Sequence, residues 1–263
     1  MRKLALAVLV LPLAACGGGT SSAPVAHLTP LAYVKSAAAK TARAPSEHAT
    51  LRAAVGVAGQ AVTVSGAGDF DNTSHRGSMH AEFAVAGLSG TIDEVIAGTT
   101  IYLRSPLLAA SLPQGKTWLK LDLQKFGKSK GIDFNQLLTQ NPAQSFEQLK
   151  ASGRVTEVGD ETIDGVETTH YRAHIDPAKL PQGAKIEALT NARYGPYDVW
   201  VGKDDGYIHR TKNTYSYTAP GAGRQTAMMT MNFSDFGKDV TVTVPAAEET
   251  VDATDQSIKG LGG

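Results

Sequence analysis

Met79, Ala81, Phe83 and Val85 alternate with Ser78, His80 and Glu82, and this two-residue period constrains the fold more than any other feature. Successive side chains of an extended strand point to opposite faces, so such a run builds one apolar face and one polar face. The period recurs at Leu51, Ala53, Val55 and Val57, and again at Val62 and Val64 beyond Gly59. Ile92, Glu94 and Ile96 carry a weaker form of it, and Thr99 to Arg104 and Trp118 to Asp122 read as further strands. Strands return at Arg154 to Thr162 and Val166 to Ile175, joined by Asp164-Gly165, a strong hairpin signal. Tyr197 to Lys203 and Tyr207 to Tyr217 flank Asp204-Asp205-Gly206, and Thr226 to Phe236 and Val240 to Val244 complete the set. About ten or eleven short strands separated by turn residues predict an α+β domain built on one large antiparallel sheet. A sheet of that size must be strongly twisted and curved.

The helical pieces are few. Thr29-Pro30 reads as an N-cap followed by proline at the first helical position, and Leu31 to Arg43 continues to a stop before Pro45. Leu31, Val34 and Ala38 form its apolar stripe. A pair of helices is expected over 133–152, with Phe134, Leu137 and Leu138 on one and Phe146 and Leu149 on the other. An irregular or helical insert is expected from Asp176-Pro177 to Arg193. Nothing between 46 and 245 separates two bodies, so residues 28–252 read as one domain and 253–263 as a loosely held tail.

Ahead of this body stands a basic start, Met1-Arg2-Lys3, then an apolar run from Leu4 to Leu13, the pattern of a secretory signal over 1–15. Leu13-Ala14-Ala15-Cys16 resembles the bacterial lipobox, whose cysteine receives a diacylglyceryl group and becomes the first mature residue. Cys16 is the single cysteine of the chain, which leaves none for a disulfide. Residues 16–27 are rich in Gly, Ser, Thr, Ala and Pro, the composition of a flexible tether. The expected site is therefore the cell membrane, reached by a lipid anchor on the extracytoplasmic side. With 25 basic and 25 acidic residues, charge supplies no case for binding nucleic acid.

A search for chemistry finds no reaction centre and no implied cofactor. Gly87-Leu88-Ser89-Gly90-Thr91 lacks the closing glycine of a nucleophile elbow. His170 and His174 share a face but stand about 13 Å apart along a strand, too far for one metal ion, and read as exposed histidines. His75 and His80 differ in parity. Asp69-Phe70-Asp71-Asn72 lacks the glycine and distal glutamate of a calcium loop and reads as a turn. The acids Asp93 and Glu94 read as solvated surface, and Trp118 and Trp200 either gate a cavity or pack.

Three stretches carry a resemblance. They are Val158-Gly159-Asp160-Glu161-Thr162-Ile163-Asp164-Gly165-Val166-Glu167-Thr168-Thr169-His170-Tyr171, Tyr197-Asp198-Val199-Trp200-Val201 with Gly206, and Phe233-Ser234-Asp235-Phe236-Gly237-Lys238 leading to Pro245. With the lipobox and the order of strands and helices, they are similar to the LppX/LprG/LprA/LprF lipoproteins of actinobacteria, which share a fold with the LolA and LolB lipoprotein carriers. The resemblance implies a half-barrel sheet whose concave face is covered by helices, over an apolar cavity for lipid or glycolipid acyl chains. With no reaction centre in the sequence, a monomeric, non-enzymatic binding protein is expected. The expected lining is Met79, Ala81, Phe83, Val85, Ile101, Leu103, Leu119, Leu137, Leu138, Phe146, Val199, Val201, Met229 and Met231. Composition by itself favours an ordinary filled core, which would suit an adaptor that binds an envelope protein partner; the resemblance reverses that preference. Ser105 to Leu112, apolar and set between strands, is a candidate lid or membrane-touching edge, and equally reads as an internal packed loop.

Overall fold

The computed structural model describes residues 28–57, 60–109, 111–130, 152–176, 193–219 and 223–260. The chain opens with helix α1 (Pro30–Thr41) and then runs through β1 (Ser46–Val57), β2 (Gln60–Asp71), β3 (Arg76–Val85), β4 (Leu88–Ala97) and β5 (Thr100–Arg104). A single turn of helix, α2 (Pro106–Ala109), precedes β6 (Trp118–Asp122) and α3 (Leu123–Lys130). After the helical pair expected over 133–152, of which all but Ser152 lies outside the described residues, come β7 (Ser152–Ile163) and β8 (Val166–Ile175). Most of the expected insert over 176–193 also lies outside them. The second half continues with β9 (Arg193–Gly202), β10 (Ile208–Ala219) and β11 (Gly223–Ser234), and ends in β12 (Thr250–Asp252) and α4 (Thr254–Gly260).

All twelve strands form one sheet in the order β12-β6-β5-β4-β3-β2-β1-β11-β10-β9-β8-β7. Every neighbouring pair is antiparallel except β12 on β6, which is parallel. β7 and β12 are its two free edges, so the sheet is not closed into a barrel. The Asp164-Gly165 hairpin turn is as expected, with φ of 50° and 89°, the left-handed pair a two-residue turn requires.

Two glycines show which way the sheet bends. A Cβ on Gly68 would lie 2.3 Å from the Ser78 carbonyl oxygen and 2.8 Å from the Met79 Cα; one on Gly66 would lie 2.8 Å from the His80 carbonyl oxygen. The backbones of β2 and β3 converge on that face so closely that only hydrogen fits, which makes it the concave face. On the same face the Phe70 ring lies across Gly77 and the Phe83 ring across Gly90, each directly opposite in register. The rings fill the volume that the missing side chains leave.

α1 lies on the concave face at the β7–β10 end of the sheet. Thr29 Oγ1 accepts the Ala32 amide at 3.3 Å, as the capping signal predicts. The expected stripe residues Val34 and Ala38 are buried, joined by Ala37 and Thr41. Their small size lets the helix settle onto Tyr171, Ala173, Tyr197, Val199 and Ile208. Thr41 Oγ1 also accepts the Ile208 amide at 2.9 Å, tying helix to sheet.

Two sequence expectations are corrected at the C-terminus. Val240 to Val244 alternates as a strand would, yet pairs with nothing in the sheet. The chain instead crosses to the far edge, where β12 pairs with β6. Residues 253–260 of the expected tail are held there, not loose: α4 packs on α3 and β6, the Asp122 amide donates to Thr254 Oγ1 at 2.9 Å, and Lys125 pairs with Asp255 at 2.8 Å; residues 261–263 lie outside the described residues.

Candidate functional site: the concave wall

Residues directly opposite in register share a face, so the wall can be followed strand by strand. From Met79, Ala81, Phe83 and Val85 of β3 the register leads to Ile92 and Ile96 of β4, then Ile101 and Leu103 of β5, Leu119 and Leu121 of β6, and Val251 of β12. In the other direction it leads through Val62 and Val64 of β2 to Leu51, Ala53 and Val55 of β1 and then Met229 and Met231 of β11. Every expected lining residue that lies within the described chain falls on this one face. Leu137, Leu138 and Phe146 lie outside the described residues.

Two of the expected lining residues are not open to a guest. Val199 and Val201 are both 0 % exposed, sealed beneath α1 in the core with Tyr171, Tyr197 and Phe233. They form packing at the covered end. Toward β3–β6 the wall is different: Met79, Phe83, Val85, Ile101, Leu103 and Leu119 are half-buried, and Ala81 is small and buried. Among the described residues α1 packs on β7, β9 and β10 and leaves this part uncovered.

The expected lid, Ser105 to Leu112, holds α2 against β4. Leu107 reaches over Gly90, its Cδ1 lying 3.5 Å from where a Cβ of that glycine would stand, yet it is half exposed. Leu88, at the turn into β4, is exposed to the same extent, so apolar side chains line the rim here.

One acid interrupts the wall. Glu94 stands directly opposite Met79 on one side and Leu103 on the other, with Ile92 and Ile96 before and after it on the same face. Burial alone pushes its carboxyl above the ordinary glutamate range. The expectation that Asp93 and Glu94 are both solvated surface therefore fails for the second of the pair. The signal was present in the sequence: Glu94 has the parity of Ile92 and Ile96.

The opposite, convex face is polar. Asp93 accepts from Arg104 Nε at 3.0 Å and lies 2.7 Å from His80 Nδ1. The His80 hydrogen bond, with Arg104 behind it, holds the Asp93 carboxyl below the usual aspartate range. Arg104 also lies over the Trp118 ring at 4.7 Å. His170 is buried rather than exposed as expected: its ring stacks on Trp200 at 4.2 Å, and its two nitrogens each lie 3.0 Å from a carboxylate oxygen, of Glu161 and of Asp198. Trp200 Nε1 donates to Glu161 at 3.0 Å, and Arg172 Nε to Asp198 at 2.7 Å. Both tryptophans thus pack on the face away from the apolar wall. Asp71 closes the β2–β3 turn by accepting the Thr73 and Ser74 amides, at 2.9 and 3.1 Å. A groove of about 1210 Å³ also opens on the convex side, between the β7–β8 turn and the strands, with Arg52, Arg210, Asp164 and Asn232 in its mixed lining. It shares none of the expected lining residues.

Among the described residues no group of three or more His, Cys, Asp or Glu could hold a metal ion, and no helix is long and apolar enough to cross a membrane.

No protein-family model matches the chain. A 31.2 kDa protein of Streptomyces griseus, encoded in the rplA–rplJ intergenic region, is 28% identical over 253 residues, 87% of this chain and 80% of that protein. A lipoprotein of Streptomyces coelicolor is 28% identical over 142 residues, 52% of this chain and 43% of its own length. Among solved structures, LprF of Mycobacterium bovis superposes with a TM-score of 0.51 and 15% identity, covering 83% of this chain and 97% of LprF. The likeness read from the turns and strand starts thus holds at the level of architecture: the chain has the fold of LprF of Mycobacterium bovis.

Proposed function

We propose that this protein is an exported lipoprotein, diacylated at Cys16 and held at the outer side of the cell membrane. There it takes the acyl chains of a lipid against its concave wall for carriage or presentation in the envelope. The observation that carries the reading is the wall itself. Apolar side chains run in register from β12 to β11, half-buried over β3–β6, where α1 does not reach. Apolar surface of that extent is covered by something in water, since each buried CH₂ contributes about 0.8 kcal/mol. Met79, Met229 and Met231 are flexible enough to conform to an irregular guest, and Ala53 and Ala81 leave it room. Support also comes from the lipobox at Cys16, the tether behind it, and the fold shared with LprF.

The test is displacement of a fluorescent acyl probe from the mature protein. Ala81→Trp, which fills the wall, is expected to abolish probe binding and leave the unfolding temperature within a few degrees of wild type. Thr63→Trp, on the exposed convex face of the neighbouring strand, is expected to bind as wild type does. Unchanged binding by Ala81→Trp would contradict the reading. So would a collapse in stability without loss of a ligand, the signature of an overpacked solid core.

A further inference from the structure

Glu94 is the one charged side chain that β3–β6 place on the concave face. Its neighbours across the sheet, Met79 and Leu103, offer no hydrogen-bond donor, and no side chain of the described residues pairs with it. The charged residues nearest in sequence or register, Glu82, Asp93 and Arg104, have the opposite parity and belong to the convex face. An unpaired carboxyl among apolar side chains lowers stability, and a leucine there would serve a solid core better. Glu94 is half-buried and still within reach of water, but a guest laid along the wall displaces that water and must itself supply the donor.

We propose that Glu94 is a specificity-determining residue of the lipid site, accepting a hydrogen bond from a free hydroxyl group of an uncharged lipid. This rests on the acyl-binding reading above and deepens it. A hydroxyl suits the site for two reasons. A carboxyl in this setting accepts from a hydroxyl whether or not it carries charge. A phosphate ester brought beside it would add a second anion to the same apolar surroundings, which costs more still. The wall therefore selects for acyl chains joined to a hydroxyl-bearing polar group and against anionic lipids. An aliphatic lipid without a donor leaves Glu94 unpaired and gains only its chain contacts. Rejection of a ligand that lacks the matching polar group is the stronger kind of discrimination, because it leaves a desolvated group unsatisfied.

The experiment uses the mature protein, stripped of lipid, and three probes of equal chain length: a 1,2-diacylglycerol, its 3-O-acetyl derivative, and the corresponding phosphatidic acid. Wild type is expected to hold the diacylglycerol on the order of ten-fold more tightly than either of the others. Glu94→Leu is expected to bind diacylglycerol and its acetyl derivative alike. Glu94→Gln, which keeps an acceptor but no charge, is expected to retain the hydroxyl preference and to gain phosphatidic acid. Equal binding of diacylglycerol and its acetyl derivative by wild type would overturn this proposal alone. So would a hydroxyl preference that survives in Glu94→Leu, or tighter binding of phosphatidic acid than of the diacylglycerol by wild type. Failure of all three probes to bind wild type and both variants would overturn the acyl-binding reading and this proposal with it.

Discussion

Asp93 and Glu94 are adjacent acids with opposite fates, decided by the pleat. Asp93 is matched with His80 and Arg104 on the convex face, whereas Glu94 faces methionine, leucine and isoleucine. Because the folded state raises the Glu94 carboxyl, folding takes up a proton in the interval between its unfolded and folded values. Its effect is therefore most favourable below the unfolded glutamate value and is lost as pH rises through the folded one. Glu94→Leu is expected to raise the unfolding temperature of the lipid-free protein and to flatten its dependence on pH just above the ordinary glutamate range. Thermal unfolding of wild type and variant across that interval checks both. A variant less stable than wild type at neutral pH would mean that the carboxyl has a partner. His170 illustrates the other error of residue-level reading. On sequence alone it is one of two histidines along a strand; the three-dimensional register gives it Glu161 from β7 and both Asp198 and the Trp200 ring from β9.

Among the elements, α1 was legible almost to the residue, because Thr29, Pro30 and the spacing of Val34 and Ala38 are local signals. Val34→Ala removes a fully buried side chain from the cluster it forms with Tyr171, Ala173, Tyr197 and Val199, and a loss of about 2 kcal/mol in denaturant unfolding is expected. The strands were equally legible, and their extension beyond the alternating core was not. β2 continues through Gly66 and Gly68 to Asp71, where glycine hides the period. Those glycines are required by the bend: Gly68→Ala would press its methyl into the Ser78 carbonyl and is expected to cost about 1–3 kcal/mol. Tolerance of that alanine without loss would mean that the sheet is flatter here than described. Val240 to Val244 was misread for a related reason. Alternation reports that two sides differ, but says nothing of whether a neighbouring strand is free to receive the segment, and β1 and β10 already flank β11. The parallel pairing of β12 with β6, more than a hundred residues earlier in the chain, has no local signature at all. A chain truncated after Glu249 is expected to unfold at lower temperature, since it exposes the β6 edge and strips α4 from α3.

At the scale of the molecule, the sequence carried the kind of sheet, its curvature and the face that is apolar, since all follow from period and length. It did not carry which part of that face is sealed. Val199 and Val201 alternate as Met79 and Ala81 do, and among the described residues it is the position of α1 that separates packed core from the half-buried wall. Nor could it place Glu94 without a register. The central expectation is that the part of the wall which α1 leaves bare holds a lipid. Native mass spectrometry of the lipidated protein, purified from its own membrane in mild detergent, tests that claim most directly. A non-covalent mass in the lipid range, released on collisional activation from wild type and missing from Ala81→Trp, is the predicted result; a bare polypeptide mass carrying only its Cys16 anchor, for both proteins, would contradict it.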